Sequence, residues 1–375
     1  MWVIRRAEIA IIGAGIAGLA HAYAAAKRGY RVVLFERNVR AVGASIRNFG
    51  LVWPIGVPET LVDRALYGRN VWLELARQAG FGCNPNGSLL LAYHADERDV
   101  LAEFSGTERA QRTGCQLLTP AEVIARSPAV RSEGLRCGLW SPNELTLDPR
   151  EALSQLPRWL AQAHGVELRF GATITHIAMP LVETLAEAWR VDQVYVCSGA
   201  DFATFYPAVF AASGITNCKL QMMRTVPQPD AWRLGPTLGA GLSLARYETF
   251  AACTAVAGLK QRLACELPDC VQYGVHVLLS QNTAGEISAG DSHEDGPTID
   301  PFDREAINQL ILRYLATFAR VPSLEIAERW QGVYPKRAGH TEFIARPESN
   351  VTIVCDTTGL GMTLSFGLAE ENLRP

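Results

Sequence analysis

The sequence lacks any Cys-x-x-Cys pair, although it contains nine cysteines. This absence excludes the ligand spacing of zinc and iron–sulfur sites, and scattered thiols predict reduced, mostly structural cysteines in a cytoplasmic protein. No hydrophobic run approaches the length of a transmembrane helix. The apolar run behind the N-terminal arginines is interrupted by Glu8 and by glycines, which predicts a strand rather than a signal peptide.

A strong excess of charge of one sign is also missing, because the formal net charge is only −3. This balance gives no electrostatic reason to expect nucleic acid or an acidic membrane surface as a partner. No internal repeat or low-complexity segment is present. The 375 residues suffice for two domains, and a hydrophobic share of 48% with a charged share of 19% indicates a soluble globular protein.

The opening of the chain contains the clearest pattern. A short apolar run at 8–12 predicts a buried parallel strand, and an Ala- and Leu-rich segment at 16–28 predicts a helix. Gly29 closes that helix, since glycine adopts the left-handed cap conformation without steric cost. A second apolar strand at 32–35 ends on Glu36. The opening is therefore predicted to be a βαβ unit.

Gly13, Gly15 and Gly18 form a Gly-x-Gly-x-x-Gly motif between the first strand and the helix. The first glycine permits a tight turn, the second lets the backbone approach a pyrophosphate, and the third allows close helix–sheet packing. The helix N-terminus offers N–H groups to phosphates, and Glu36 can accept hydrogen bonds from ribose hydroxyls. These features predict binding of FAD or NAD rather than NADP, with a chance glycine turn as the alternative.

The loop at 44–54 follows the predicted ribose-binding acid directly, which favours a ligand-contacting role over an ordinary polar loop. Amphipathic patterns and capping signals recur through the rest of the chain. They predict helices at 59–79, 96–113, 148–164, 303–318 and 358–372.

The segment from 206 to 330 differs in character from the rest. Alternation at 242–255 and 271–289 predicts antiparallel strands. Within the second of these, 273–280 and 286–290 are predicted to pair as a hairpin.

These motifs resemble the D-amino-acid-oxidase superfamily of FAD-dependent amine oxidases, which includes glycine oxidase and sarcosine oxidase. The resemblance covers nearly the whole chain and lies in the order and spacing of residues 13–18, Glu36, 43–45, 148–150, 197–200, 330–335 and 359–363. It implies an α/β fold (α+β overall), with a Rossmann-like FAD-binding domain and a substrate domain whose mainly antiparallel sheet covers the flavin. The expected FAD-binding domain comprises residues 1–80, 140–205 and 331–375, and the substrate domain residues 81–139 and 206–330.

The resemblance also implies which residues contact FAD. The pyrophosphate is expected to contact Gly13, Ala14, Gly15, Ile16, Ala17 and Gly18. The adenosine side is expected to contact Glu36 and Arg37 at the ribose, Ile174 at the adenine, and Ser198 and Gly199. The flavin is expected to contact Ala44, Ser45, Arg47, Asn48, Phe49, Gly50, Leu51, Gly332, Gly359, Gly361, Met362 and Thr363. No cysteine stands where sarcosine oxidases attach their flavin, so noncovalent binding is expected.

One departure from the family concerns the cation that binds the substrate. Glycine oxidase relatives carry an arginine before the proline of the Trp-x-Gly-x-x-Pro segment, where this sequence has Tyr334. The cation is therefore expected to be Lys336, Arg337, Arg47 or Arg224. A guanidinium suits a carboxylate or a phosphonate because it forms two parallel hydrogen bonds.

Histidines supply the other candidate site residues. His276 lies in an apolar stretch and is a candidate for substrate contact, although a histidine satisfied within the sheet is the commoner role. His293 and Asp291 are expected to order a loop, and Tyr247 and Gln281 are possible rim groups. His340 and Glu342 supply only two ligands, so no metal site is predicted.

The resemblance implies an FAD-dependent oxidase of a small anionic amine or amino acid. Hydride transfer to the flavin, imine hydrolysis and reoxidation by O₂ with release of H₂O₂ are expected. Segments 47–54 and 290–293 are similar to a subgroup linked to iminodiacetate or aminophosphonate oxidation, so the first expected substrate is iminodiacetate, giving glycine and glyoxylate. Alternatives are an aminophosphonate, glycine or sarcosine oxidoreductase, a dehydrogenase that uses an electron carrier, an NAD-dependent dehydrogenase, or a noncatalytic nucleotide-binding protein.

Overall fold

The computed structural model describes residues 4–374 of the chain. It contains a six-stranded sheet in which five neighbouring strands are parallel and one edge strand is antiparallel. In spatial order these strands are Glu167–Phe170, Val32–Glu36, Ile9–Ile12, Gln193–Val196, Val351–Asp356 and Glu342–Glu348. Helix Ile16–Lys27 connects two adjacent strands of this sheet, so the predicted βαβ unit is confirmed.

Both faces of the six-stranded sheet are covered, which explains why its central strands are apolar throughout. Ile9 and Ile11 pack on the side of three helices, whereas Ala10 and Ile12 pack on the opposite side against a second sheet. The three helices are Ile16–Lys27, Pro149–His164 and Gly361–Asn372. The second sheet has four strands, in the order Ile4–Arg6, Ala188–Arg190, Leu181–Thr184 and Ile174–Ala178.

A nine-stranded sheet forms the other large layer of the protein. All of its pairings are antiparallel except that between Ser88–Ala92 and Thr237–Gly239. Its strands run in the order Glu294–Gly296, Thr216–Thr225, Ile287–Gly290, Leu278–Gln281, Thr237–Gly239, Ser88–Ala92, Cys137–Ser141 and Gln116–Leu118, and Ile326–Lys336 pairs with Thr216–Thr225. This sheet confirms the prediction of a mainly antiparallel layer.

The remaining elements connect and cover these layers. The other helices are Val62–Ala79, Ala95–Ser105, Glu108–Arg112, Pro120–Arg126, Pro207–Ala211, Gly241–Arg246, Val256–Glu266, Pro268–Gln272 and Glu305–Phe318. A small antiparallel sheet consists of Leu51–Val52, Leu145–Leu147 and Cys83–Asn84. None of the helices within residues 4–374 combines the length and the hydropathy that crossing a bilayer requires.

The predicted strands at 242–255 are wrong, because this segment contains helix Gly241–Arg246 and a short 3-10 turn, Glu248–Phe250. The alternating leucines Leu242 and Leu244 suggested a strand, but both are buried against the core of the nine-stranded sheet from a short helix. Burial from one side imposes an apolar pattern on either element, so two leucines do not distinguish them.

The predicted helix at 96–113 is also divided in the structure. It ends at Ser105, and Thr107 accepts a hydrogen bond from the backbone N–H of Ala110 to start a second helix. The predicted hairpin is confirmed in part, since Leu278–Gln281 pairs antiparallel with Ile287–Gly290. Its first strand begins at Leu278 rather than at residue 273, and residues 271–272 belong to helix Pro268–Gln272. The predicted α/β fold class is likewise confirmed, while the division into two domains stays a prediction.

Candidate active site

A glycine turn joins strand Ile9–Ile12 to the helix behind it. Gly13 has a φ of +107°, and a Cβ on it would lie 2.4 Å from the carbonyl oxygen of Cys197. A Cβ on Gly18 would lie 1.8 Å from the carbonyl oxygen of Gly13. Only glycine satisfies both positions, so the turn passes close beneath the helix and leaves its outer side open to a ligand.

Glu36 and Ser45 hold this turn from its two sides. The Glu36 carboxylate accepts hydrogen bonds from the backbone N–H groups of Ala14 (3.0 Å) and Asn38 (2.9 Å). Ser45 Oγ accepts one from the N–H of Ile16, the first residue of the helix, at 2.9 Å. A hydroxyl that accepts can also donate, so Ser45 can offer its proton to an anion at the helix N-terminus.

A first cavity, of about 470 Å³, lies at the carboxyl ends of the central parallel strands. Arg37, which lines this cavity, is held by Asp201, with Nη1 2.7 Å from Oδ2. Predicted cofactor residues that line it are Gly13, Gly15, Glu36, Arg37, Ala44, Ser45, Arg47, Ile174, Ser198 and Gly199. Ligands of open α/β sheets bind at this edge.

A narrow cavity of about 120 Å³ continues from the first one. It shares Gly15 and Ser45 with the first cavity, and Asn48 and Met362 with a third and larger one. Predicted cofactor residues that line it are Gly15, Ile16, Ala17, Ala44, Ser45, Arg47, Asn48, Gly199, Gly332, Gly359, Gly361 and Met362. The three cavities therefore adjoin one another and form one trough, as an extended dinucleotide requires.

The large cavity, of about 680 Å³, lies at the end of the trough beside the nine-stranded sheet. Among the predicted residues it is lined by Asn48, Phe49, Leu51, Gly359, Met362, His276, Lys336 and Arg337. Its ionisable lining also includes Arg246, Tyr247, Glu248, Asp291, His293, Tyr334, His340 and Glu342. This concentration of charged and imidazole groups contrasts with the glycine-rich first part of the trough.

Four predicted cofactor residues lie behind the walls of the trough rather than in them. Ala14 donates its N–H to Glu36, and Gly18 packs against the glycine turn. A Cβ on Gly50 would lie 1.9 Å from the carbonyl oxygen of Leu147. Thr363 Oγ1 accepts a hydrogen bond from the backbone N–H of Trp53 at 2.8 Å. Their positions indicate that these residues shape the trough from outside it.

Two histidines and one aspartate cluster in the wall of the large cavity. His276 and Asp291 lie opposite each other on two neighbouring chain segments. The backbone N–H of His276 donates to the carbonyl oxygen of Asp291 at 3.1 Å, and the N–H of Asp291 donates to the carbonyl oxygen of His276 at 2.7 Å. His276 Nε2 lies 3.1 Å from Asp291 Oδ1, and His293 Nδ1 lies 4.0 Å from the same oxygen. The His293 ring stacks on that of His276 and bonds through Nδ1 to the carbonyl oxygen of Gly274 at 3.0 Å.

Burial sets the protonation of this cluster. It raises the pKa of Asp291 to about 7, while the nearby Arg246 guanidinium lowers it. Burial, assisted by the same guanidinium, lowers the pKa of His276 and of His293 well below the usual histidine range. Both imidazoles are therefore neutral at pH 7, and the Asp291 carboxyl group is close to the midpoint of its titration.

The same three side chains offer ligand atoms within 4.8 Å of one another, a set that some transition metals accept. The Arg246 guanidinium acts on all three groups, and its charge opposes a second cation at the same place. We therefore interpret the cluster as a group that handles protons.

The predicted anion-binding cations occupy different places. Lys336 Nζ is paired with Asp295 Oδ2 at 2.5 Å, and the Arg337 guanidinium lies 5.6 Å from the centroid of the Phe343 ring. Arg47 lines the first and the narrow cavity, and its Nη1 donates a hydrogen bond to the carbonyl oxygen of Gln331 at 3.4 Å.

Arg224 lies outside all three cavities. Its Nε is 3.3 Å from Glu286 Oε2, and its guanidinium also pairs with Glu328. These contacts occupy it within the protein, so it is not positioned to bind a ligand of the trough.

Sequence reasoning missed Arg246, which ends helix Gly241–Arg246 and lines the large cavity. Its side chain is exposed, and within residues 4–374 no carboxylate lies within ion-pair distance of it. No sequence signal marked it, because its segment was assigned to strands. Asp291 and His293 did carry a signal, the Gly-Asp-Ser-His segment, but their joint position with His276 depends on strand pairing.

The parallel sheet, the glycine turn and the trough define a dinucleotide-binding protein with a substrate-sized chamber at one end. A sequence profile of the family described as FAD dependent oxidoreductase (DAO) matches residues 8–371. The chain belongs to this family. The predicted cofactor, FAD, and the predicted class of enzyme, an oxidoreductase, are thereby confirmed.

Curated relatives agree with the resemblance found in the sequence. Mitochondrial sarcosine dehydrogenase of Mus musculus is 24% identical over 227 residues, which cover 60% of this chain and 24% of that protein. Glycine oxidase of Geobacillus kaustophilus is 28% identical over 207 residues, covering 52% of this chain and 55% of that enzyme. The matches thus span about a quarter and about half of these relatives' own lengths.

Solved structures share the fold over almost the entire chain. L-proline dehydrogenase from P. horikoshii has a TM-score of 0.78 at 21% identity, covering 98% of this chain and 92% of that one. Glycine oxidase from Geobacillus kaustophilus has a TM-score of 0.76 at 20% identity, covering 98% and 94%. Iminodiacetate oxidase (IdaA) from Chelativorans sp. BNC1 has a TM-score of 0.69 at 18% identity, covering 97% and 93%.

Proposed function

We propose that this protein oxidises the carbon–nitrogen bond of a small anionic amine or amino acid. The observation that supports this most directly is the large cavity at the end of the trough, whose lining contains cationic, neutral imidazole and carboxyl groups. A substrate with both an acid and an amine group matches that set of charges. The names of the family's members, among them glycine oxidase and sarcosine dehydrogenase, favour the same class of substrate.

Successive regions of the trough suit successive parts of FAD, from the adenosine to the flavin ring. Glu36 and Ile174 would hold the adenosine part, and Gly15, with the N–H groups of the helix behind it, the pyrophosphate. Asn48 and Met362, shared by the narrow and the large cavity, would lie beside the flavin ring. When bound, the flavin supplies the electron acceptor for oxidation of the amine, and it can pass the electrons to O₂ with release of H₂O₂.

We propose noncovalent attachment of FAD. Among the described residues that line the large cavity there is no cysteine. Cys197 and Cys355 line the narrow cavity instead, and burial raises the pKa of both thiols, which disfavours the nucleophilic thiolate.

The acid group of the substrate is expected to bind Arg246. This guanidinium is exposed to the cavity, whereas Lys336 already has Asp295 as a partner. Arg337 also lines the cavity and is the second candidate. Arg47 is better placed for the cofactor, since it lines the narrow part of the trough.

We propose iminodiacetate as the leading candidate substrate, with glycine and glyoxylate as its oxidation products. It contains one secondary amine and two carboxylates, and the cavity offers Arg246 and Arg337 as two separate cations. One neighbour in fold is named an iminodiacetate oxidase. Aminophosphonates, glycine and sarcosine are the next candidates, because each combines an amine with an anionic group.

A panel of amines tests this function. The holoenzyme is mixed with iminodiacetate, glycine, sarcosine and an aminophosphonate, and flavin bleaching is followed without oxygen and peroxide release in air. Succinate, a dicarboxylate without nitrogen, is the matched control and should bleach nothing. Bleaching without peroxide indicates a dehydrogenase that uses another acceptor, and the absence of bleaching by every amine contradicts the proposal.

A further inference from the structure

The proposed function assigns no chemical step to two residues that line the large cavity, His276 and Asp291. Each residue is only 4% exposed, yet His276 Nδ1 has no hydrogen-bond partner within residues 4–374, and Asp291 Oδ1 lies 3.1 Å from His276 Nε2 without an aligned hydrogen bond. A buried polar atom without a partner costs free energy, so its retention calls for a role. Both residues line the large cavity, which places the pair beside any ligand there.

We propose that the Asp291 carboxylate is the proton acceptor for the ammonium group of the substrate, with His276 positioning it. The proposal rests on the proposed function, since it requires an amine as substrate. An alkyl amine is protonated at pH 7 because its pKa is about 10, and its nitrogen has no lone pair to assist oxidation until a proton is removed.

The proton transfer is balanced within the cavity. The N–H bond of the ammonium breaks, the nitrogen retains the electron pair, and the proton bonds to a carboxylate oxygen of Asp291. His276 Nε2, 3.1 Å from Oδ1, restricts the orientation of that carboxylate. After the product leaves, the carboxyl group releases the proton to water and the cycle is restored.

The ionisable groups that act on Asp291 favour its carboxylate as the proton acceptor within the cluster. Arg246 provides a positive charge that favours the carboxylate. Burial raises the pKa of Tyr247 and of Tyr334 above the usual tyrosine range, so both remain phenols. His293 is neutral, and its Nδ1 is occupied by the Gly274 carbonyl.

Lys336 also acts on the cluster. It lowers the pKa of His293, and it is itself paired with Asp295. Within the cluster of His276, Asp291 and His293, Asp291 is thus the one group that can be anionic. The carboxylates of Glu248 and Glu342 also line the large cavity, and Glu342 is paired with Arg64 at 3.0 Å.

The test compares flavin bleaching by saturating amine in wild-type holoenzyme and in Asp291→Asn, from pH 6 to pH 10 without oxygen. We expect the wild-type rate to rise with a midpoint near pH 7 and the variant to be about 100-fold slower at pH 7, as for loss of a general base. At pH 10 the variant should recover to within about threefold, because the amine is then deprotonated in solution. Asp230→Asn, which changes an exposed carboxylate, should behave as wild type.

A second measurement does not depend on turnover. In holoenzyme labelled with ¹⁵N-histidine, the His276 signal, assigned by its loss in His276→Asn, should shift with a midpoint near pH 7. That shift should be absent in Asp291→Asn. A His276 signal that does not move between pH 6 and pH 8 in the wild type overturns the proposal.

The remaining outcomes separate this proposal from the proposed function. A variant with the wild-type pH profile, or one slowed equally at every pH, overturns the proton acceptor alone. If no amine bleaches the wild-type flavin, the proposed function fails and the acceptor with it. A transition metal found in the purified holoenzyme at one per chain, and lost in His293→Asn, also overturns the proposal, because the ion would occupy the same atoms.

Discussion

The carboxylate of Glu36 accepts a hydrogen bond from the backbone N–H of Ala14 at 3.0 Å, which connects the end of one strand to the glycine turn of its neighbour. The acid therefore does more than face the ribose of a cofactor. It also fixes the turn on which the pyrophosphate is expected to lie, so one side chain couples the geometry of two binding regions.

Removing this carboxylate should weaken FAD binding. We expect Glu36→Ala to raise the dissociation constant of FAD by about 10- to 100-fold, because hydrogen bonds to charged groups contribute about 1.5–3 kcal/mol. Glu36→Gln retains an acceptor for the Ala14 N–H and should lose less. Ultrafiltration with flavin absorbance measures both constants, and equal affinity for Glu36→Ala and wild type would contradict the assignment.

Close packing at the glycine turn should make Gly18 intolerant of any side chain. A Cβ there would lie 1.8 Å from the carbonyl oxygen of Gly13, so Gly18→Ala must displace backbone and should cost about 1–3 kcal/mol. The matched control is Gly258→Ala, in helix Val256–Glu266, where nothing lies within 4 Å of the added Cβ. That variant should gain about 0.5–1 kcal/mol, and thermal unfolding of both distinguishes the two effects.

Loss of the exposed guanidinium should weaken substrate binding selectively. We expect Arg246→Gln to raise the KM for an anionic amine by about 10- to 100-fold with a smaller effect on kcat, since a charge-assisted hydrogen bond is lost. Lys336→Gln should have a smaller effect because Asp295 already pairs with Lys336. Steady-state kinetics of peroxide release measures both.

Arg233→Gln is the control for this series, because Arg233 is exposed and lies outside the large cavity. It should leave KM unchanged. A KM for Arg246→Gln within twofold of wild type, together with a large increase for Arg337→Gln or Arg47→Gln, would transfer the anion-binding role to that residue.

The buried Asp291 should make stability depend on pH. Its pKa is about 7 in the folded protein and 3.8 as a free side chain, so between these values the folded state binds more protons than the unfolded state. The contribution of the protonated Asp291 carboxyl group to the free energy of unfolding is therefore fully present below about pH 4 and is lost as the pH rises to about 7. Asp291→Asn removes the buried charge and should therefore raise Tm at pH 8, by about 2 °C for each kcal/mol gained in the free energy of unfolding. At pH 4, where the carboxyl group is neutral, the substitution should change Tm little.

Calorimetry of the holoenzyme at both pH values measures this difference. Asp230→Asn should shift Tm by less than about 1 °C at either pH, as surface substitutions do. Equal Tm changes for Asp291→Asn at pH 4 and pH 8 would contradict the raised pKa.

FAD should separate from the protein on denaturation. We expect precipitation with acid to leave all of the flavin absorbance in the supernatant. The described lining of the large cavity contains no cysteine, and burial raises the pKa of the Cys197 and Cys355 thiols of the narrow cavity. A yellow pellet that retains flavin after washing in denaturant would show a covalent bond.

Local patterns accounted for much of the fold. Helices Glu305–Phe318 and Gly361–Asn372 closely match their predicted extents, because periodicity and capping act over a few turns. The segment behind residue 241 was mistaken for strands, since two buried leucines fit either element. Ala14, Gly18, Gly50 and Thr363 were expected in contact with FAD, yet packing places them behind the trough.

The sequence by itself determined the dinucleotide-binding unit, because the freedom of Gly13, the strand and helix periods and the position of Glu36 are all encoded within one short stretch. Only the tertiary structure decided the large cavity. Arg246 reaches it from a helix end, and His276 and Asp291 meet there by pairing between distant segments. Contacts of this kind are set by long-range packing, and no local pattern in the chain specifies them.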